Sequence, residues 1–265
     1  MPEKPESAII QWLNAHYPMV RDREQLAQVP QLLMQRRCEF CTATDLTPAF
    51  VAAVCYHGYL PMGEQVADLP LLLIKSHHQR CVLEFANLHL SRKLKRYARG
   101  LTLTMNQNFR ECLGAIANHH SPTWLIAPLC NALIQLHQHP HSQVALHSIE
   151  IYNDDARLVA GEVGYTTGAI YTSLAGFHTQ NGAGSIQLAL LGQILASSGF
   201  AFWDLGMNLP YKRQLGADLV PRQSFLERWA QHRDRPTPAW SVKQLDSAAI
   251  WNLLQRPPWS ASLGE

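Results

Sequence analysis

The chain has 265 residues, enough for one large domain or two modest ones, and enough to bury a core without disulfides or structural metals. Hydrophobic residues make up 47% and charged residues 16%, against about 25% charged in a typical globular domain, which excludes intrinsic disorder and a coiled coil. With 22 Lys and Arg against 20 Asp and Glu the formal charge is +2, so a polyanion would be met by a local patch and not by the field of the whole molecule.

In chain order, an amphipathic helix is expected over 8–20, with Ile9, Ile10, Trp12 and Leu13 near one face. Asp45-Leu46-Thr47-Pro48 is a helix start, and that helix runs to Gly58. The apolar segments 71–75 and 81–85 flank a polar turn and read as a hairpin. The basic stretch His89 to Arg99 follows, then a strand over 101–106, helices over 107–118 and 126–138, and a break at Pro140.

From Val144 the texture changes to three strand-like runs separated by turn residues, an antiparallel meander. Residues 185–198 have helical spacing and end at Gly199, 200–206 is a buried strand, and a helix follows Pro221. This β-β-β-α-β-α order predicts an α+β fold with an acyltransferase-type core. A Pro- and Trp-rich tail after Arg233 carries a short helical run near 246–254. The expected division is a helical extension at 1–37, a small N-terminal α/β domain at 38–100, a transferase-type domain at 101–233 and the tail at 234–265.

The scarce charges are unevenly placed. No Asp, Glu, Lys or Arg occurs from Cys112 to Ile149 or from Val163 to Trp203, whereas Arg92, Lys93, Lys95, Arg96 and Arg99 put five cations into eight residues. On an α-helix Arg92 and Arg96 would be i,i+4 neighbours, as would Lys95 and Arg99, and no acidic residue lies between Glu84 and Glu111. Such a run serves as a solvated face or as a grip on successive phosphates. Gly182-Ala183-Gly184 opens a helix after a strand, a structural loop or an anion cradle. Asp204 stands in the apolar run FAFWDLG, so it must be hydrogen-bonded, paired or placed at a ligand site, where it would receive an amine. Cys38-Glu-Phe-Cys41 has no second pair at zinc spacing, so neither a metal nor a cofactor is expected. The absence of a signal-type N-terminus and of any stretch of about 18 apolar residues predicts a cytoplasmic protein without a membrane span.

Taken together, these segments resemble the leucyl/phenylalanyl-tRNA protein transferase family. The resemblance rests on Asp-Leu-Thr-Pro at 45–48, HGYLP at 57–61, LHLSRKLKR at 88–96, LTMN at 103–106, TWL at 123–125, HSIEIY at 147–152, LVAGEVGY at 158–165 and Gln-Leu-Gly-Ala at 214–217, in that order. It implies a GNAT-like C-terminal domain that holds the aminoacyl-adenosine end of a tRNA, working as a monomer on an acceptor protein N-terminus or a small amine. Arg92, Lys95 and Arg96, with Lys93 and Arg99 beside them, then match the basic motif that meets the tRNA acceptor end. Trp124, Ser173, Leu174, Gly176, Phe177 and Gly206 fall in the aminoacyl-adenosine pocket, and Asp204 matches an aspartate that positions the acceptor amine.

The chain also departs from the family. Where the family reads Asp-Cys-Gln this chain has Asp204-Leu205-Gly206, and where the family reads Gly-Glu-Ser-Met-Phe it has Ser173-Leu174-Ala175-Gly176-Phe177. The glutamine said to assist proton transfer and the pocket glutamate are both absent, and Tyr171 and His178 are the nearest hydrogen-bonding candidates. Three readings are open: an aminoacyl-tRNA-dependent transferase, a non-catalytic tRNA- or N-terminus-binding module on the same fold, and an acyltransferase using acyl-CoA through the 180–184 loop.

Overall fold

A computed structural model describes residues 8–255 apart from Ser142, and of Arg92 the backbone alone. The outer ends of the expected extension and tail, 1–7 and 256–265, lie outside the described residues. The protein is a mixed α+β structure built on two sheets.

Helices α1 (Ala8–His16) and α2 (Val29–Arg36) lead into strand β1 (Phe40–Ala43). Helix α3 (Pro48–Tyr56) starts where expected: Pro48 occupies its first turn, and the Thr47 hydroxyl accepts from the Phe50 amide at 3.3 Å. Strands β2 (Leu60–Val66) and β3 (Leu69–Lys75) complete a three-stranded antiparallel sheet in the order β1-β3-β2.

Strand β4 (Gln79–Leu83) departs from the expected hairpin. β3 is the central strand of the small sheet and has both edges filled, so β4 crosses into the large sheet. The crossing is pinned by Arg222, whose guanidinium donates to the carbonyls of Cys38 (3.2 Å), Ser76 (2.6 Å) and His77 (3.3 Å). Glu39 accepts from the His78 amide at 2.7 Å on the same connection.

The remaining elements are β5 (Leu101–Met105), α4 (Phe109–His119), α5 (Ala127–Gln138), β6 (Val144–Asn153), β7 (Leu158–Thr167), β8 (Ile170–His178), α6 (Ala183–Ser198), β9 (Phe202–Gly206), α7 (Pro210–Gln214), β10 (Asp218–Pro221), α8 (Arg222–His232), β11 (Gln244–Leu245) and α9 (Ser247–Gln255). The eight-stranded sheet has the order β10-β4-β9-β8-β7-β6-β5-β11. Every pairing in it is antiparallel except β8 with β9, which are joined through the crossover helix α6. That parallel pairing covers only Ile170–Thr172 against Phe202–Asp204, beyond which β8 pairs with β7 alone and the two strands part.

Alternation along the strands divides the core. Val163, Tyr165, Ile170 and Phe202 face α3, α4, α5 and α8, and this layer is continuous with Val20, Leu26, Cys41 and Leu72 of the N-terminal elements. Ile149, Ile151, Tyr171 and Trp203 face α6 and α9. The small sheet therefore shares its core with the large one. The tail after Arg233 joins the structure by adding β11 to the edge strand β5 and laying Ile250 and Leu254 against α6.

Candidate active site and nucleic-acid interface

Glu162, on β7, lies beside the point where β8 and β9 part and is 3% exposed. One carboxylate oxygen accepts from the Ser173 hydroxyl at 2.6 Å and from the Tyr171 hydroxyl at 3.1 Å, and the other from the Gln187 amide at 3.1 Å. Trp203 in turn donates its indole N–H to the Ser173 oxygen at 2.9 Å. Among the described residues Glu162 has no ion pair. Burial raises its pKa above the ordinary value, against the lowering effect of its three donors. A buried carboxylate held by neutral donors at a break in a sheet is a functional-site candidate on physical grounds.

The approach is made possible by a bulge. Val163 faces Ala175 and Gly164 faces Ser173, which leaves Leu174 as the extra residue on β8. The bulge turns Ser173 and Tyr171 toward Glu162 and α6, while Leu174, Ala175 and Phe177 pack on the α4 side. Gly164 is required here, because a Cβ on it would collide with the Tyr171 hydroxyl.

Asp204, 0% exposed, sits on the last rung shared by β8 and β9, opposite Thr172. Arg80, itself 1% exposed, grips it through both oxygens: Nε to Oδ1 at 2.8 Å and Nη2 to Oδ2 at 2.8 Å. The Thr172 hydroxyl (3.1 Å) and the Gly206 amide (2.9 Å) complete a set of four donors. The carboxylate expected to face an amine is thus saturated by protein groups. Gly206 ends the strand at φ +73°, and a Cβ there would stand 3.5 Å from Leu60 and 4.0 Å from the Ser173 carbonyl. Lys212 closes β9 by donating to the carbonyls of Leu205 (2.5 Å) and Met207 (3.2 Å), and burial lowers its pKa.

The basic run does not form the α-helix on which the i,i+4 rows depend: Arg92–Tyr97 is a 3₁₀ helix capped by Ser91, whose hydroxyl accepts from the Lys93 amide. In that geometry residues i and i+3 eclipse, so Lys93 lies over Arg96 and the i,i+4 rows do not form. The tighter turn lets both Leu94 and Tyr97 face the protein, and Gly100 at φ +72° ends the segment. Lys93, Arg96 and Arg99 are exposed and Lys95 is half-buried. Among the described residues none of these four side chains is in an ion pair.

The Tyr97 ring lies against Gly182, the residue that caps α6, so closely that any side chain there would overlap it. His178 packs on Gly184 at 3.2 Å from the position of a Cβ. The loop read as an anion cradle is therefore covered by side chains. From Gly182 to Gln187 the helix rises about 7.5 Å, so one end of α6 carries the cationic turn and its second turn carries the donor to Glu162.

Of the other expected pocket residues, Trp124 is half-buried at the rim of the α4-side core, and its carbonyl accepts from Gly63 at 3.0 Å. Phe177 is buried in that same layer, and the carbonyl of exposed Gly176 is bonded to His120 Nε2 at 2.8 Å. Trp124, Leu174 and Phe177 are thus brought to one face of the sheet, and Ser173 to the other. Cys38 is half-buried, while burial pushes the Cys41 thiol up to about 12. Among the described residues no cluster of His, Cys, Asp or Glu is suited to a metal ion. Glu162, Arg80, Gln187 and Lys212 were not among the expected site residues. The signal was present: Arg80 and Glu162 are lone charges inside apolar strands, the same reason that singles out Asp204.

A sequence profile of the leucyl/phenylalanyl-tRNA protein transferase family matches residues 82–230, a segment that contains the basic turn, Glu162 and Asp204. The leucyl/phenylalanyl-tRNA–protein transferase of Pseudomonas syringae pv. syringae (strain B728a) is 27% identical over 89% of this chain and 100% of its own length. That of Shewanella frigidimarina (strain NCIMB 400) is 32% identical over 78% of this chain and 83% of its own. Among solved structures, L-PGS from Bacillus licheniformis is 11% identical over 90% of this chain and 83% of that chain, with a TM-score of 0.37, too loose a likeness to argue from. By its sequence match across both the cationic turn and the buried carboxylates, the chain belongs to the leucyl/phenylalanyl-tRNA protein transferase family.

Proposed function

We propose that this protein transfers an aminoacyl group from the 3′ end of an aminoacyl-tRNA to the N-terminal amine of an acceptor protein, on a GNAT-like core formed by β6, β7, β8, α6 and β9. The observation that carries this reading, within the family just named, is the linkage through α6. Its capped end is clasped by Tyr97 of the cationic turn, and Gln187, about 7.5 Å further along, donates to Glu162. A grip on phosphates and a buried acid are thereby held at a fixed spacing by one rigid helix.

In this reading Lys93, Lys95, Arg96 and Arg99, with the Arg92 position that opens the turn, hold phosphates of the acceptor end. The aminoacyl-adenosine rests on the Ser173 side of β8, where the missing side chain at Gly206 leaves room, while the expected wall residues Trp124, Leu174 and Phe177 back that strand from the opposite face of the sheet. The ester is already activated, so the site needs to align an amine and move one proton. The amine nitrogen forms a bond to the carbonyl carbon, the bond to the ribose oxygen breaks, and the amine's proton ends on that oxygen. Ser173 is the half-buried residue of the network, and Glu162 stands behind it as a positioning residue that accepts its hydroxyl hydrogen bond. Asp204, locked to Arg80, keeps β8 and β9 joined up to the rung where they part. The covered 180–184 loop gives no support to an acyl-CoA pyrophosphate site.

Transfer of a radiolabelled amino acid from charged tRNA to a peptide with a free N-terminus tests the proposal. Glu162→Gln is expected to lower kcat/KM about a hundredfold while tRNA affinity stays within about twofold, and Ser173→Ala is expected to lower kcat in the same assay. Full transfer by Glu162→Gln removes the assigned role of that residue. Absence of tRNA binding by the wild-type chain at moderate salt overturns the function.

A further inference from the structure

The tail helix α9 lies beside the cationic turn, and between them is a depression of about 400 Å³ lined by Lys95, Ala98, Arg99, Ser247, Ala248 and Trp251. The volume falls in the range of about 300–1,000 Å³ seen for small-molecule sites. Trp251 follows Ala248 by three residues and Ser247 by four, so all three share one face of α9, while Ile250 (0% exposed) and Leu254 (7%) anchor the adjoining face in the core. Trp251 is 43% exposed, and the Lys95 ammonium lies 5.8 Å from its ring centroid. Among the described residues no carboxylate lines the depression. Close by in the chain, Asp246 accepts from the Ala249 amide at 2.8 Å, and the Asp154 carboxylate packs on Gly100, where a Cβ would meet it at 2.5 Å.

Cations without carboxylate partners around an exposed indole match one chemistry closely, that of an unpaired nucleotide, which offers a π-face for stacking and phosphates for the cations. We propose that this depression docks an unpaired nucleotide of the tRNA end, its base on Trp251 and its phosphates on Lys95 and Arg99. The inference rests on the tRNA reading above and extends the nucleic-acid surface from the basic turn onto the tail, outside residues 82–230 that match the family profile.

The test uses the full chain and two fluorescein-labelled RNA hairpins of acceptor-stem sequence, one with its single-stranded 3′ end and one blunt. The wild-type protein is expected to bind the tailed hairpin more tightly. Trp251→Ala is expected to weaken that binding about tenfold, leave the blunt hairpin unchanged and leave the salt dependence intact, and Trp251→Phe to retain most of the affinity. Lys95→Ala with Arg99→Ala is expected to weaken both hairpins and to reduce the slope of log K against log salt by about 0.7–0.9 per cation. Matched thermal melting confirms that the variants fold, since Ile250 and Leu254 are untouched. If wild type binds but Trp251→Ala binds the tailed hairpin equally well, the inference fails and the transferase reading stands. Equal losses on both hairpins for Trp251→Ala assign the indole surface to the duplex and overturn it, and a concentration-dependent dimer abolished by Trp251→Ala assigns it to a second copy and overturns it likewise. If wild type binds neither RNA, the functional reading falls and this inference with it.

Discussion

Three carboxylates are buried among the described residues, Glu150, Glu162 and Asp204, and the last two are handled in opposite ways by their surroundings. Asp204 is neutralised by a guanidinium on both oxygens, whereas Glu162 has only neutral donors and its pKa is raised by burial. The folded chain therefore keeps the Glu162 proton at a pH where the unfolded chain, near the ordinary value of 4.5, has lost it. This group's contribution to stability is complete below that value and is lost as pH rises through the raised one. Glu162→Gln is neutral throughout, so its thermal midpoint is expected to exceed that of wild type at neutral pH, with the gap closing toward about pH 4.5; melting curves across the range check it. For Asp204 the expected penalty lies in separation. Arg80→Met alone leaves a buried charge unpaired and is expected to cost about 3–5 kcal/mol, a midpoint drop on the order of 10 °C. Arg80→Met with Asp204→Leu is expected to recover much of that loss in a double-mutant cycle measured by denaturant unfolding. A double variant as unstable as the single one refutes the pairing argument.

At the scale of elements, α6 is the part that joins binding to chemistry, and its two glycine ends separate steric from conformational effects. Gly182 and Gly199 both have left-handed backbones, at φ +82° and +86°, but only Gly182 meets a neighbour, the Tyr97 ring; Gly199 meets nothing within 4 Å. Gly199→Ala is expected to cost about 1 kcal/mol of stability and leave tRNA affinity unchanged. Gly182→Ala is expected to cost more, and also to weaken tRNA binding by displacing Tyr97 and the cationic turn. Equal tRNA affinity of the two variants, measured by filter binding, would contradict the clasp. The start of α3, the meander β6 to β8, the end of α6 at Gly199 and the helix after Pro221 were all legible in the sequence, because caps, turn residues and periodicity act within a few residues. The basic run was legible as a patch but not as a 3₁₀ turn. Its conformation follows from Tyr97 seating on Gly182, which stands 85 positions later in the numbering.

For the whole molecule, the eight-stranded sheet is closed at one side by the short strand β11 on β5, and α9 covers α6. Truncating the chain before Gln244 is expected to bare the edge of β5 and the sites of Ile250 and Leu254. The expected loss is about 3–5 kcal/mol from two buried aliphatic side chains, together with self-association through the open edge. Thermal melting and light scattering of the truncated chain check this, and a truncated protein as stable and monodisperse as wild type would show that the tail is not part of the core. Among the described residues no helix is long and apolar enough to cross a membrane.

The sequence by itself determined the local elements, the patch of five cations, the absence of acidic residues between Glu84 and Glu111, and the ordered segments that mark the family. It also marked Asp204 as a residue that needs a partner. Only the tertiary structure decided that the partner is Arg80, 124 positions away, that β4 leaves the small sheet, and that the buried acid facing Ser173 is Glu162. The physical reason is that strand partners and sheet faces are set by long-range pairing: the single extra residue at Leu174 turns Ser173 and Phe177 to opposite faces, and nothing in the spacing along the chain announces it.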